Sequence, residues 1–173
     1  DSADKAAFKL LQVADFVKWK NHELFLQVIT LLKDQIPGLK AKIRGRARNT
    51  AEEKLRDAIY QRRKELELED ILEIADYSGS AKKELAETDI LLSCSENEPF
   101  GRVIIEALAA GKTVIAVNSA GPAEILKNQK AGSLCEANPE EIAKRVINWH
   151  KNDNYLKNKN EAKKLAEKFS LEK

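Results

Sequence analysis

Two glutamates with seven residues between them, Glu98 and Glu106, bracket a segment whose residue types suit one kind of chemistry. Glu98 stands just before Pro99-Phe100-Gly101-Arg102-Val103, and Glu106 falls in the second turn of the helix that this segment opens, so both carboxylates lie along one rim. Carboxylates accept hydrogen bonds from vicinal hydroxyl groups. The N–H groups of Phe100-Gly101-Arg102, at a helix start, suit an anion, and Gly101 lets it approach because no side chain stands in the way. Acceptors for hydroxyls beside donors for phosphates are what a sugar nucleotide requires. The plainer alternative is a glutamate-rich helix start stabilised by its own dipole.

In the string Lys18-Trp19-Lys20-Asn21-His22, His22 stands near Lys20 at an expected helix start and could reach the cleft. It has no cysteine or carboxylate partner in sequence, and neither does His150, so neither forms a metal or nucleophile motif. Trp19 is expected at a cleft rim or against another domain. The alternating cations Lys40, Lys42, Arg44, Arg46 and Arg48 run into a glycine turn. A solvated strand end is the favoured reading for them, with phosphate contact as the alternative. Lys151–Lys168 reads as a solvated helix face.

These side chains need a scaffold. A chain of 173 residues, 43% hydrophobic, is long enough for one domain with a continuous core. Short apolar runs suited to buried parallel strands occur at Lys9–Ala14, Leu39–Arg44, Ile71–Ala75, Ile90–Ser93, Thr113–Val117 and Ser133–Cys135. Between them lie helical patterns: His22–Gln35, a segment opened by a Thr50/Glu53 capping pair, Ser80–Glu87, Arg102–Ala110, and one begun by Gly121-Pro122. Two helical stretches, Glu140–Asn152 and Tyr155–Lys168, form the tail. The alternation predicts an α/β class: a Rossmann-like, doubly wound parallel sheet of about six strands, helices on both faces and a helical C-terminal tail. Ligands then bind outside the carboxyl ends of the strands, which selects the loops Asp15–Asn21, Gly45–Asn49, Cys94–Gly101 and Asn118–Gly121.

A net charge of +2 supplies no whole-chain field for a polyanion, and no nucleic-acid module with interleaved aromatics is present, so a nucleic-acid partner is not expected. Cys94 and Cys135 read as buried free thiols of a reducing cytoplasm. No apolar run reaches the length of a membrane span. The absence of methionine, even at residue 1, suggests a fragment or a processed chain.

Glu98-Pro99-Phe100-Gly101, followed by Ile105-Glu106-Ala107-Leu108-Ala109-Ala110-Gly111-Lys112-Thr113-Val114-Ile115-Ala116, resembles the donor-site signature of retaining GT-B glycosyltransferases, the group 1 type. The likeness runs from about Phe8 to Phe169, and Ala120-Gly121-Pro122-Ala123-Glu124 is similar to that family's glycine-rich turn. The resemblance implies a nucleotide-sugar donor-binding domain at 8–173, preceded by a linker stub at 1–7, with an N-terminal acceptor-binding domain as its partner. It assigns Glu98 to the hydroxyls of the transferred sugar and to its charged ring, Glu106 to the ribose, and the amides of Phe100, Gly101, Arg102, Val103 and Gly121 to sugar and diphosphate. Lys20 matches the lysine that binds the donor diphosphate and stabilises the leaving group. The implied reaction transfers a hexose to an acceptor hydroxyl with retention, without a cofactor or an essential metal. The implied setting is cytoplasmic glycan synthesis, with peripheral association of the full enzyme at the inner face of a membrane.

Three positions depart from the family pattern. Where the family commonly carries a glycine and an arginine after the first strand, this chain has Ala14-Asp15. Lys18 or Arg102 supplies the missing cation, or the donor binds weakly, or the local register is shifted. Asn21 replaces a glycine, a milder change because asparagine tolerates left-handed backbone. Two rival functions remain: a non-catalytic nucleotide-sugar-binding module, and a GT-B-like sugar-nucleotide epimerase.

Overall fold

The computed structural model describes residues 7–76, 79–127 and 129–170. The expected linker stub, 1–7, lies outside the described residues except for Ala7. Six parallel strands form one sheet: β1 (Lys9–Val13), β2 (Lys40–Gly45), β3 (Leu72–Asp76), β4 (Ile90–Ser93), β5 (Thr113–Val117) and β6 (Gly132–Cys135), in the spatial order β3-β2-β1-β4-β5-β6. The order reverses between β1 and β4, which opens a crevice at the carboxyl ends of these two strands.

The central strands are apolar on both faces because helices cover both. α1 (His22–Leu32), α2 (Thr50–Glu65) and α6 (Pro139–Lys151) bury one layer, in which Phe25, Val28, Ile29, Ile59 and Val146 meet Leu10, Ile43 and Ile115. α3 (Lys82–Glu87), α4 (Arg102–Ala109), α5 (Ala120–Leu126) and α8 (Lys159–Ser170) bury the other, in which Ile104, Leu108, Ile125 and Leu165 meet Leu11, Leu91 and Val114.

Most element ends lie within one or two residues of the sequence expectation, and three departures stand out. α2 is capped by Asn49, whose side chain accepts from the N–H of Glu52 at 3.0 Å, while the Glu52 carboxylate accepts from the N–H of Arg48 at 2.8 Å. The capping pair is thus Asn49/Glu52, one residue earlier than Thr50/Glu53. α1 stops at Leu32, before Gln35. The tail stretch expected at Tyr155–Lys168 is broken into α7 (Asn154–Lys157) and α8 at Asn158. Asn158 is buried there, and its amide donates to the hydroxyl of Thr113 at 3.1 Å.

Candidate functional site

The 3-10 turn Lys18–Lys20 carries the first cation of the crevice. Three bonds fix it: the N–H of Glu96 donates to the Trp19 carbonyl at 3.1 Å, Asn21 Nδ2 donates to Glu96 Oε1 at 3.2 Å, and Gln12 Nε2 donates to the Lys20 carbonyl at 3.4 Å. Asn21 takes the left-handed conformation, φ 52°, and caps α1 by accepting from the N–H of Leu24. The asparagine-for-glycine exchange therefore preserves the geometry. His22 is buried, stacks on Phe16 and meets the Ala14 carbonyl through Nε2 at 3.1 Å. Because that carbonyl can only accept, Nε2 carries the proton. Burial pushes the imidazole pKa down to about 4, so the ring is neutral at pH 7. His22 does not reach the crevice; it closes the loop that presents Lys20.

Lys20 Nζ lies 2.5 Å from Glu98 Oε2 and 4.1 Å from the centroid of the Trp19 ring. The other oxygen of Glu98 accepts from the N–H of Gly101 at 3.2 Å. Gly101 precedes α4 with φ 67°, a left-handed conformation that glycine adopts without strain. Among the described residues, no protein acceptor meets the N–H of Arg102 or of Val103. These two amides and the positive end of α4 face an anion-sized space.

The cleft at this point measures about 290 Å³ and is lined by Val13, Ala14, Asp15, Lys20, Arg46, Glu98, Arg102, Val103 and Glu106. Five of the sequence-predicted residues, Lys20, Glu98, Arg102, Val103 and Glu106, are brought together there. Arg102 and Glu106 share the exposed side of α4, four residues apart, while Ile104, Ala107 and Leu108 face the core. Glu106 also lines a neighbouring hollow of about 520 Å³ with Gly79, Ser80, Leu85, Ala109 and Ala110.

Four predicted residues are placed differently. Lys18 is exposed and is not among the residues that line the cleft. Phe100 is 75% exposed at the tip of its loop, away from the cleft wall. The N–H of Gly101 is engaged by Glu98, as given above. Gly121 is buried, and its N–H donates to the Glu98 carbonyl at 2.9 Å, so that amide is not presented to a phosphate. A Cβ at Gly121 would stand 2.8 Å from the Phe100 carbonyl carbon. Its part is to let α5 seat the loop that carries Glu98.

Sequence reading favoured a solvated strand end for Arg46 over phosphate contact, because its partner is Asp15, which belongs to a different loop; the structure places it among the residues lining the cleft. Asp15 accepts from Arg46 Nε at 3.2 Å, from Arg46 Nη2 at 3.3 Å, from the backbone N–H of Arg46 at 3.1 Å, and from Arg48 Nη2. Burial works to raise the pKa of this carboxyl, but the Arg46 hydrogen bonds and the two guanidinium charges outweigh it and hold the pKa below the usual value. Cys94 and Cys135 are buried free thiols, as expected, and burial raises the pKa of both. Among the described residues, no group of three or more His, Cys, Asp or Glu is placed to hold a metal ion, and no helix is long and apolar enough to cross a membrane.

A six-stranded sheet in this order, with a cationic and carboxylate-lined cleft at its switch point, narrows the family choice, and a family model decides it. The model for glycosyl transferases group 1 matches residues 2–169. The chain belongs to that family. Among group 1 relatives it is 30% identical over 176 residues to the GDP-Man:Man(3)GlcNAc(2)-PP-Dol alpha-1,2-mannosyltransferase of Dictyostelium discoideum, covering 93% of this chain and 34% of that protein. It is 30% identical over 118 residues to the N-acetyl-alpha-D-glucosaminyl L-malate synthase of Bacillus anthracis, covering 66% of this chain and 31% of that protein. The fold matches Anabaena HepE, solved in complex with UDP and glucose, with a TM-score of 0.85 at 22% identity, over 94% of this chain and 44% of that one. This group 1 chain thus spans about a third of these curated relatives and under half of the solved structure.

Proposed function

We propose that this chain is the donor-binding domain of a retaining glycosyltransferase that moves a hexose from a nucleoside diphosphate sugar to an acceptor hydroxyl in glycan synthesis. The observation that carries the reading is the gathering of Lys20, Arg102, Glu98 and Glu106 in one cleft at the switch point. Lys20, Arg102 and the Arg102 and Val103 amides take the diphosphate, where negative charge grows as the bond to the sugar breaks. Glu98 takes the sugar hydroxyls and the positive charge of the ring. Glu106 stands between the cleft and the adjoining hollow, which is where a ribose joins a diphosphate to a base; the base then enters the hollow beside Leu85 and Ala109. The names of the relatives support a nucleotide-sugar donor: the Dictyostelium mannosyltransferase names GDP-Man, and the HepE structure holds UDP and glucose.

In this reading side chains and amides neutralise the diphosphate, so no metal is essential, and the acceptor is held by an N-terminal domain of the same protein. A cytoplasmic setting, with the whole enzyme peripheral to a membrane, belongs to the same proposal. Calorimetric titration of the chain with UDP-, GDP- and ADP-sugars, in EDTA and in magnesium, tests it. One nucleotide class is expected to bind equally in both buffers. Glu106→Ala is expected to weaken that binding at least tenfold, the scale of a charge-assisted hydrogen-bond pair. No binding by any of the three would overturn the proposal.

A further inference from the structure

The family's first-strand arginine is absent, and Asp15 stands where it would be expected; the structure nevertheless puts a guanidinium beside that position. The pairing of β1 with β2 continues past both strand ends, with the N–H of Ala14 donating to the Arg44 carbonyl at 2.8 Å and that of Phe16 to the Arg46 carbonyl at 2.9 Å. Gly45 makes this closeness possible, since a Cβ there would stand 2.0 Å from the Ala14 carbonyl oxygen. Val13 and Arg44 are register partners, so Asp15 comes opposite Arg46 two positions on. Its carboxylate grips Arg46 side-on, through Nε and Nη2, and also holds Arg48. A side-on grip fixes the plane of the guanidinium. Arg46 is 48% exposed by side chain and lines the cleft with Lys20 and Arg102, whereas Arg48 is not among the lining residues. One carboxylate between two guanidiniums leaves this loop pair with a net positive charge.

We propose that Arg46, held in place by Asp15, is a ligand of the donor diphosphate, and that it supplies from the second strand's loop the cation that the family usually takes from the first. The inference rests on the donor-site reading above. Asp15 is a positioning residue: it touches the arginine and not the donor, and it fixes an arginine side chain that would otherwise sample many rotamers. An acid at this position therefore serves anion binding, although alone it would oppose it.

The test compares nucleoside diphosphates with monophosphates. UDP, GDP and ADP, and the matching monophosphates, are titrated into the chain and into Arg46→Gln, Arg48→Gln, Asp15→Asn and Arg46→Lys, with circular dichroism melts confirming that each variant folds. Arg46→Gln is expected to weaken the preferred diphosphate about 10- to 100-fold, the scale of a charge-assisted pair, and the monophosphate by less than threefold. Arg46→Lys is expected to recover part of the loss and Asp15→Asn to reproduce part of it. Arg48→Gln is expected to change little. Equal losses for mono- and diphosphate would overturn the inference by making the effect structural. Unchanged diphosphate binding in Arg46→Gln, alongside binding lost in Glu106→Ala, would overturn it while leaving the donor site standing. A parent chain that binds no nucleotide would overturn both.

Discussion

His22 shows how a residue can serve the cleft without entering it. Its ring spans from the start of α1 to the Ala14 carbonyl and is neutral in the fold, with a pKa of about 4 against an ordinary value of 6.5. The depressed value gives the sign of the pH dependence. Above pH 6.5 the ring is uncharged in both the folded and the unfolded chain, so it contributes no slope. Between pH 6.5 and about 4 only the unfolded chain takes up the proton, and stability falls with the pH by up to about 3 kcal/mol. Chemical denaturation of the parent and of His22→Gln at pH 7.5 and pH 4.5 checks this. The parent is expected to lose about 2–3 kcal/mol more than the variant over that interval. A parallel loss in both would mean that the slope comes from other groups.

At the scale of elements, the strands were legible because buried parallel strands are continuous apolar runs with a glycine or proline nearby, and Ile90–Ser93 and Thr113–Val117 match the expectation to the residue. What escaped depended on neighbours distant in sequence. The break at Asn158 exists because Thr113, 45 positions earlier, needs a partner for a fully buried hydroxyl. For Arg46 the sequence left a solvated strand end favoured over phosphate contact, because only the β1–β2 register brings it opposite Asp15. Gly121 was assigned as an anion-binding amide through the family resemblance, and its own sequence context does not show that the Glu98 carbonyl takes this N–H. The cap of α2 was a different kind of miss: Asn49/Glu52 and Thr50/Glu53 have the same spacing, and geometry chose the first pair. Asn49→Ala is therefore expected to cost about 1 kcal/mol and to lower the thermal midpoint by a few degrees. Thr50→Ala should stay within about 0.5 kcal/mol of the parent. Equal costs would mean that the cap is shared.

Across the whole molecule, the tail and the cleft are linked through α4. α8 packs Ala162, Leu165 and Ala166 against the layer containing Ala107 and Leu108, so the helix whose start presents the Arg102 and Val103 amides is braced along its length. The lysines of the tail face outward over this packing, as the sequence suggested. Two ion-pair groups lie at the cleft: Lys20 with Glu98, and Arg46 with Asp15, which also holds Arg48 beyond the lining. With a net charge of only +2 on the chain, little positive potential reaches beyond the surface. In the proposed donor site an arriving diphosphate has to take Lys20 from Glu98 before it gains the ammonium, so capture in that reading is an exchange of partners and not a long-range attraction. Stopped-flow association of a fluorescent nucleoside diphosphate is then expected to run at about 10⁵–10⁷ M⁻¹s⁻¹, with a shallow dependence on ionic strength. In Glu98→Gln, where Lys20 is released, the rate should rise and its salt dependence steepen. On the proposed donor-binding reading, the Lys20–Glu98 pair is expected to act as a gate on the speed of loading, set by two side chains that would each have other work once a donor is in place.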